Sequence, residues 1–226
     1  MPSNLVVITA GVSEPSSTRM LADRIAQHTL DLLHEHDAAA SVAVIDVAPL
    51  AVDVARATVS GVLSAELQAA VDRIAAADGV IVSTPVYKAG ISGLFKSFID
   101  LLDNDLLIAK PLLLAATAGS SRHALVADEH LRSLFAYMRA LSVPTSVFAA
   151  PEDWGASELG ARIGRAASEL AALVQAGIGQ QIAERSWSGY QHRFAGNATR
   201  AEQTAADVDF DSPLMRLATG GRGADR

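Results

Sequence analysis

The chain has 226 residues, half of them hydrophobic, no cysteine, and 18 Lys plus Arg against 25 Asp plus Glu, for a formal net charge of -7. That length suits one domain with an appendage, and the acidic balance without a basic run argues against nucleic acid as a partner. The lack of cysteine removes disulfides, thiolate nucleophiles, iron–sulfur clusters and cysteine zinc sites, so any redox chemistry must ride on a bound or passing cofactor.

The first predicted element is a strand, Asn4-Leu5-Val6-Val7-Ile8-Thr9-Ala10, apolar and β-branched enough to be buried on both faces. It ends at Gly11, and residues 11–19 then carry four hydroxyls in nine positions before a helix with Leu21, Ile25 and Leu32 near one face. Hydroxyls and open backbone N–H groups at a helix start form an anion site, and phosphate is the anion expected. Helix capping by Ser16, Ser17 or Thr18 accounts for one hydroxyl and less well for four. The loop is neither a Walker A nor a GxGxxG sequence, which argues against ATP and against the usual nicotinamide-binding fold.

Ser41 to Asp46 reads as a second strand, residues 48–60 as a connection without a defined pattern, and Ala65 to Ala77 as a helix through Leu67, Ala70, Val71 and Ile74. The third strand, Gly79 to Ser83, feeds Thr84-Pro85-Val86-Tyr87-Lys88-Ala89-Gly90 and then a helix through Ile91, Leu94, Phe95, Phe98 and Leu102. Pro85 fixes its own φ and holds Thr84 extended, Tyr87 offers an aromatic face and a hydroxyl, and Gly90 and Gly93 allow close approach. An ordinary strand-to-helix turn with a surface tyrosine explains this stretch slightly better when it is taken alone.

Lys110 to Thr117 is a fourth strand with proline near its start, opening into Ala118-Gly119-Ser120-Ser121-Arg122-His123. A helix is expected from there to about Leu141, a fifth strand over 145–149, and a long final helix from Glu158 to about Ile182. Strand and helix alternating in this way imply an α/β fold: a doubly wound, five-stranded parallel sheet of flavodoxin-like order 2-1-3-4-5, with a C-terminal extension. In that order the loops at 11–19, 85–90 and 117–121 meet at one crevice, which outweighs the plain explanation of each loop alone. The domain is expected to occupy 1–183 and the extension 184–226. In the extension, Trp187, Tyr190 and Phe194 are candidates for packing on the domain or on a second subunit, and 209–215 for docking at an unspecified place.

Thr84-Pro85-Val86-Tyr87-Lys88, continuing through Ser92-Gly93-Leu94-Phe95-Lys96 to Asp100 and through Thr117-Ala118-Gly119-Ser120, resembles the signature of the NAD(P)H-dependent FMN reductases with a flavodoxin-like fold. The likeness covers roughly residues 4–150 and is greatest to the branch that supplies reduced flavin to two-component monooxygenases of the alkanesulfonate or luciferase-like type. It implies FMN and NADH or NADPH as ligands, with the FMN phosphate at Ser13, Ser17, Thr18 and Arg19. Pro85, Val86, Tyr87 and Lys88 would then line the ring and ribityl region, and Thr117, Gly119 and Ser120 the other flavin edge. The chain has Glu14 where many members carry arginine, leaving Arg19 to supply positive charge, and Glu129-His130 where some carry a tyrosine. The family also implies a homodimer or homotetramer across the flavin face.

Hydride transfer between cofactors asks the protein for orientation and electrostatics, so no catalytic side chain is expected. His123 and His130, seven apart and without a third ligand, do not suggest a metal site, and Lys96 with Asp100 reads as an exposed ion pair. Three other functions share parts of the pattern: an enzyme that keeps FMN bound and reduces quinones, azo dyes or metal oxyanions, a flavodoxin-like electron carrier, and an interaction domain without flavin. Carriers are usually shorter and more acidic, and intact Pro85, Tyr87 and Gly119 speak against the last. No apolar run reaches the roughly 18 residues of a membrane span, and a soluble protein of the cytoplasm is the expectation.

Overall fold

The computed structural model describes residues 3–35 and 39–187. The elements run β1 (Ser3–Thr9), α1 (Ser17–Glu35), β2 (Ala40–Asp46), α2 (Ala51–Ser60), α3 (Ala65–Ala75), β3 (Gly79–Tyr87), β4 (Gly90–Ile91), α4 (Gly93–Ile99), β5 (Pro111–Thr117), α5 (Arg132–Tyr137), β6 (Leu141–Ser142), β7 (Val147–Ala149), α6 (Ser157–Gln175) and α7 (Ile178–Ile182). Short 3₁₀ turns at Ser121–His123 and Pro151–Asp153 and π turns at Ala127–Leu131 and Ala183–Trp187 join them.

The sheet has the order β2-β1-β3-β5-β6, all parallel, with β7 also paired to β5. β6 meets the start of β5 and β7 its end, so together they fill the fifth position and the expected flavodoxin-like order 2-1-3-4-5 is present. Pro144 lies between the two pieces; having no N–H, it interrupts the ladder just after Val143 N–H reaches Leu112 O at 2.8 Å.

Alternation along the strands divides the core. Leu5, Val7, Ile81, Leu113 and Ala115 face α1 and α6. Val6, Ile8, Val80, Val82, Leu112 and Leu114 face the side of α2, α3, α4 and α5. Phe95 and Phe135, both fully buried, meet edge to face with centroids 6.3 Å apart and join α4 to α5. Each such ring contributes about 1.5–3 kcal/mol by leaving water.

Four expectations are corrected. Residues 48–60 include a helix, α2, whose buried face is only Val54 and Ala57, too narrow a stripe to stand out among alanines and valines. The third strand runs on to Tyr87 because it pairs with β4 in a hairpin, Val86 opposite Ile91 and Tyr87 opposite Gly90. The helix expected to reach Leu141 ends at Tyr137, where Arg139 turns to φ 59° and the chain enters β6. The final helix breaks at Gly177, φ 61°, into α6 and α7.

Trp187 lies under the Arg139 guanidinium at 5.5 Å from its ring centroid, a packing contact with the domain. Tyr190, Phe194 and the 209–215 segment lie outside the described residues. Among the described residues no helix is long and apolar enough to cross a membrane.

Candidate functional site

β1 lies between β2 and β3, so the chain leaves β1 toward one face and returns to β3 from the other. This reversal leaves a crevice at the carboxyl ends of β1 and β3, with the end of β5 beside it, and the loops after these three strands border it.

Each of these strands turns polar at its last residues. Thr9, Ser83 and Thr117 are buried on the face toward α1, and Thr84 is buried on the other. Ser83 donates its hydroxyl to Thr18 O at 3.0 Å, and the hydroxyls of Thr18 and Thr117 share a hydrogen bond of 2.7 Å. The start of α1 is thereby fixed to β3 and β5, elements 65 and 99 residues away in sequence. On the other face the Thr84 hydroxyl accepts the Ser92 N–H at 3.1 Å, and Ser92 caps α4. Thr9 Oγ1 is buried without a hydrogen-bond partner among the described residues, directly beside Ser83 in the strand register.

The loop after β1 is drawn tightly over the start of α1. A Cβ at Gly11 would come within 1.9 Å of Ser16 Oγ and 3.1 Å of Thr18 Cβ, so any other residue here must displace the Ser16 hydroxyl. Ser16 supplies the cap, its hydroxyl accepting the Arg19 N–H at 3.2 Å. Ser17 and Thr18 therefore occupy the first helical positions, whose N–H groups have no acceptor within the helix and carry the positive end of its dipole.

Of the residues expected to hold phosphate, Ser13 and Ser17 are exposed beside this helix start, whereas Thr18 is buried with its hydroxyl turned to Thr117. Arg19 is bound to Asp23 at 2.7 Å, a half-exposed pair worth roughly 0–1 kcal/mol that an anion can displace. Glu14 is exposed on the same loop.

Along β3, Pro85 is buried, Val86 half-buried, and Tyr87 49 % exposed at the hairpin tip. Lys88 and Ala89 form the two-residue turn with φ of 50° and 63°. Both central residues of such a hairpin turn need positive φ, yet neither is glycine, and strain of this kind is held where the surroundings fix it. The fixing contacts are the Thr84–Ser92 bond and a Ser92 N–H to Pro85 O bond of 3.1 Å. His130, on the π turn before α5, borders the hairpin, with its ring 3.8 Å from where a Gly90 Cβ would stand.

On the β5 side Thr117 is buried, Ser120 half-buried and Gly119 exposed. Glu152 accepts the Ser121 N–H at 3.3 Å and ties this loop to the one after β7. Backbone hydrogen bonding at Glu152 itself, joined by the Ser121 contact, lowers its pKa below the ordinary 4.5. Lys96 and Asp100 are paired at 2.5 Å on the exposed side of α4. Among the described residues no three His, Asp or Glu side chains are grouped to hold a metal.

Thr9, Gly11, Ser16, Ser83, Thr84 and Ser92 build this edge and were not among the expected site residues. Their signal in the sequence is a hydroxyl residue closing an otherwise apolar strand, three times at sheet ends that the topology brings together.

Comparison with known proteins bears on what such a crevice takes. The family model described as NADPH-dependent FMN reductase matches residues 3–155. The NADH-dependent FMN reductase SfnE of Pseudomonas putida is 36% identical over 187 residues, 77% of this chain and 94% of that protein. The FMN reductase (NADPH) of Pseudomonas aeruginosa is 36% identical over 177 residues, 76% of this chain and 92% of that protein. An oxidoreductase from Corynebacterium diphtheriae, known by X-ray structure, superimposes with a TM-score of 0.76 at 46% identity, over 77% of this chain and 98% of that one.

Proposed function

Because the chain belongs to the NADPH-dependent FMN reductase family, and is thus an oxidoreductase acting on FMN with NADH or NADPH, we propose that it takes FMN as a diffusible substrate at the crevice and supplies reduced flavin to a partner monooxygenase. The observation that carries this reading is the hydroxyl-braced helix start. Thr18, Ser83 and Thr117 hold the first turn of α1 in place, and the Gly11 approach leaves its N–H groups open to a phosphate. The fit of flavin to these residues also rests on the unpartnered Thr9 hydroxyl beside the crevice and on the exposed Tyr87 and Gly119 at its sides.

When bound, FMN supplies the electron-accepting ring to which the dihydronicotinamide gives its hydride. The work of this chain is to bind and orient. Ser13 and Ser17, with the N–H groups of the first turn, hold the phosphate, and Arg19, released from Asp23, adds a positive charge. Pro85, Val86, Tyr87 and Lys88 offer an apolar wall and the rigid hairpin backbone to the ring and ribityl chain. Thr117, Gly119 and Ser120 border the opposite edge, where an exposed glycine leaves room for a second ring to approach. No side-chain acid or base is needed.

Exposure favours a flavin that enters and leaves: Ser13, Ser17, Tyr87 and Gly119 all lie open to solvent. Val12, Met20, Tyr87 and Leu125, between 49% and 64% exposed around the same loops, support closure by a second copy of the chain in a dimer or tetramer. In this reading residues 1–183 form the flavin-binding unit, 184–226 extend it, and the protein works in the cytoplasm.

The test is the visible spectrum of the purified chain together with NADH and NADPH oxidation at rising FMN. A colourless protein whose rate rises and saturates with FMN is expected. A yellow protein that turns over only with a quinone or dye would replace this reading by a bound-flavin reductase, and absence of flavin binding would remove both.

A further inference from the structure

A second concavity, a cleft of about 370 Å³, adjoins the crevice. Its walls include Ser121 and Ala124 after β5, Phe148 of β7, and Arg162 and Arg165 of α6. The cleft begins one residue past Ser120, about 3.8 Å along the chain, so one continuous loop borders both spaces. Its size falls at the lower end of pockets that take small organic ligands, roughly 300–1,000 Å³.

The charges in this cleft are unequal in their commitments. Asp153 Oδ2 accepts the Ala150 N–H at 2.7 Å, and the N–H of Ser121 in the lining goes to Glu152 outside it. Among the described residues Glu158 accepts only the Ser157 hydroxyl, at 3.2 Å. Arg162 and Arg165, three apart and so on one side of α6, make no hydrogen bond or ion pair among the described residues. Two guanidinium groups without partners among the described residues, in a cleft whose lining shares a loop with the crevice, are a donor set for the phosphates of a nucleotide. Guanidinium forks match phosphate oxygens in pairs.

We propose, on the reading that a nicotinamide dinucleotide gives its hydride to flavin at the crevice, that this cleft holds the adenosine half of that dinucleotide, with Arg162 and Arg165 taking its phosphates. Nicotinamide then lies over the crevice while the anionic half is fixed past Ser120. Glu158, one turn before Arg162, opposes the anion and moderates its affinity.

The test is the Arg162→Ala/Arg165→Ala double variant, assayed with NADH and with NADPH at saturating FMN. It is paired with calorimetric titration of 2′-phosphoadenosine 5′-diphosphoribose, which cannot donate hydride. The expected result is a KM for NADPH raised about tenfold or more, matched by weaker binding of the probe, with kcat and FMN affinity unchanged. A rise for NADPH alone assigns the arginines to the 2′-phosphate, and an equal rise for both dinucleotides assigns them to the diphosphate; either supports the cleft. Glu158→Gln should lower the same KM, and Arg162→Lys/Arg165→Lys should restore part of the loss. Unchanged KM for both dinucleotides and unchanged probe binding, in a double variant that still reduces FMN, would overturn the cleft and leave the reductase reading standing. A wild-type chain that oxidises neither dinucleotide with FMN would remove that reading and this proposal together.

Discussion

The two ends of the parallel sheet use their polar groups differently. At the carboxyl ends of β3 and β5, the Ser83 and Thr117 hydroxyls bind the start of α1 across long stretches of sequence, Thr84 braces Ser92, and the loops held there keep outer donors open. At the amino ends, polar groups close the chain on itself. The Asn4 N–H donates to Asp78 Oδ2 at 2.7 Å, Ser41 donates to Asn4 Oδ1 at 3.0 Å, and Lys110 Nζ donates to the carbonyls of Ala75, at the end of α3, and Ala77, just past it, at 2.9 and 2.6 Å. Gly179 brings α7 so close that a Cβ would stand 2.8 Å from Ala109 O and 2.9 Å from Pro111 Cδ. One end positions groups for something else to bind, and the other satisfies them within the fold. Substitutions at the amino end should therefore move stability, and those at the carboxyl end flavin affinity.

The largest separation is expected from Gly179→Val. The new side chain meets backbone and a proline ring, neither of which can rotate away, so about 3 kcal/mol of stability should be lost in urea denaturation. FMN affinity of the folded fraction should not change. A matching loss of flavin affinity would mean that the two ends are not independent.

Next comes the hydroxyl pair that joins the two purposes. Thr117→Val leaves the buried Thr18 hydroxyl unpaired and should cost about 2 kcal/mol, together with a weaker FMN complex because α1 loses its attachment to β5. Thr18→Val should do the same. The double variant has no orphaned hydroxyl at this contact and should be more stable than the sum of the singles predicts, with a coupling of about 1 kcal/mol. Additive losses would show that the hydroxyl bond is not what holds the helix start.

The difference between the ends also decides what could be seen in the sequence. The long apolar strands and the strand–helix alternation carry the topology, and the three small-residue loops follow strands that this topology places side by side. What the loops hide is their bracing. The Thr18–Thr117 bond spans 99 residues, and nothing local in either position announces it. The amino end was less legible still, since Lys110 and Asp78 read as ordinary strand-flanking charges until α3 and β1 are in place. Helix α2 is masked by a run in which alanine and valine fill buried and exposed positions alike: Val54 is 1% exposed and Val59 is 90%. The break at Gly177 and the split of the fifth strand at Pro144 depend on single residues inside patterns that otherwise continue.

Gly11→Ala sharpens the comparison from the carboxyl side. The added methyl group meets Ser16 Oγ, which can swing aside, but doing so gives up the cap to the Arg19 N–H and costs about 1 kcal/mol. The displaced loop should raise the Kd for FMN about tenfold in a fluorescence-quenching titration. An affinity unchanged by this substitution would remove the helix start from the flavin site.

The smallest effect belongs to Lys110, at the amino end. Burial lowers its pKa below the ordinary 10.5, and the Asp78 charge opposes that shift only in part. The folded chain therefore gives up this proton at a lower pH than the unfolded chain. Between the lowered value and 10.5 the unfolded state binds more protons, so stability rises with pH across that window. Below it the cost of burying the charge is constant. Other groups titrate in the same range, so the comparison is with Lys110→Met, which lacks the proton but also loses the hydrogen bonds to the Ala75 and Ala77 carbonyls and should be about 1 kcal/mol less stable at pH 8. That gap should widen as pH rises toward 10.5, with FMN affinity the same in both proteins. A gap that narrows instead would mean that Asp78 and the two carbonyls outweigh desolvation and hold Lys110 charged. The amino end would then owe its closure to a charge rather than tolerate one.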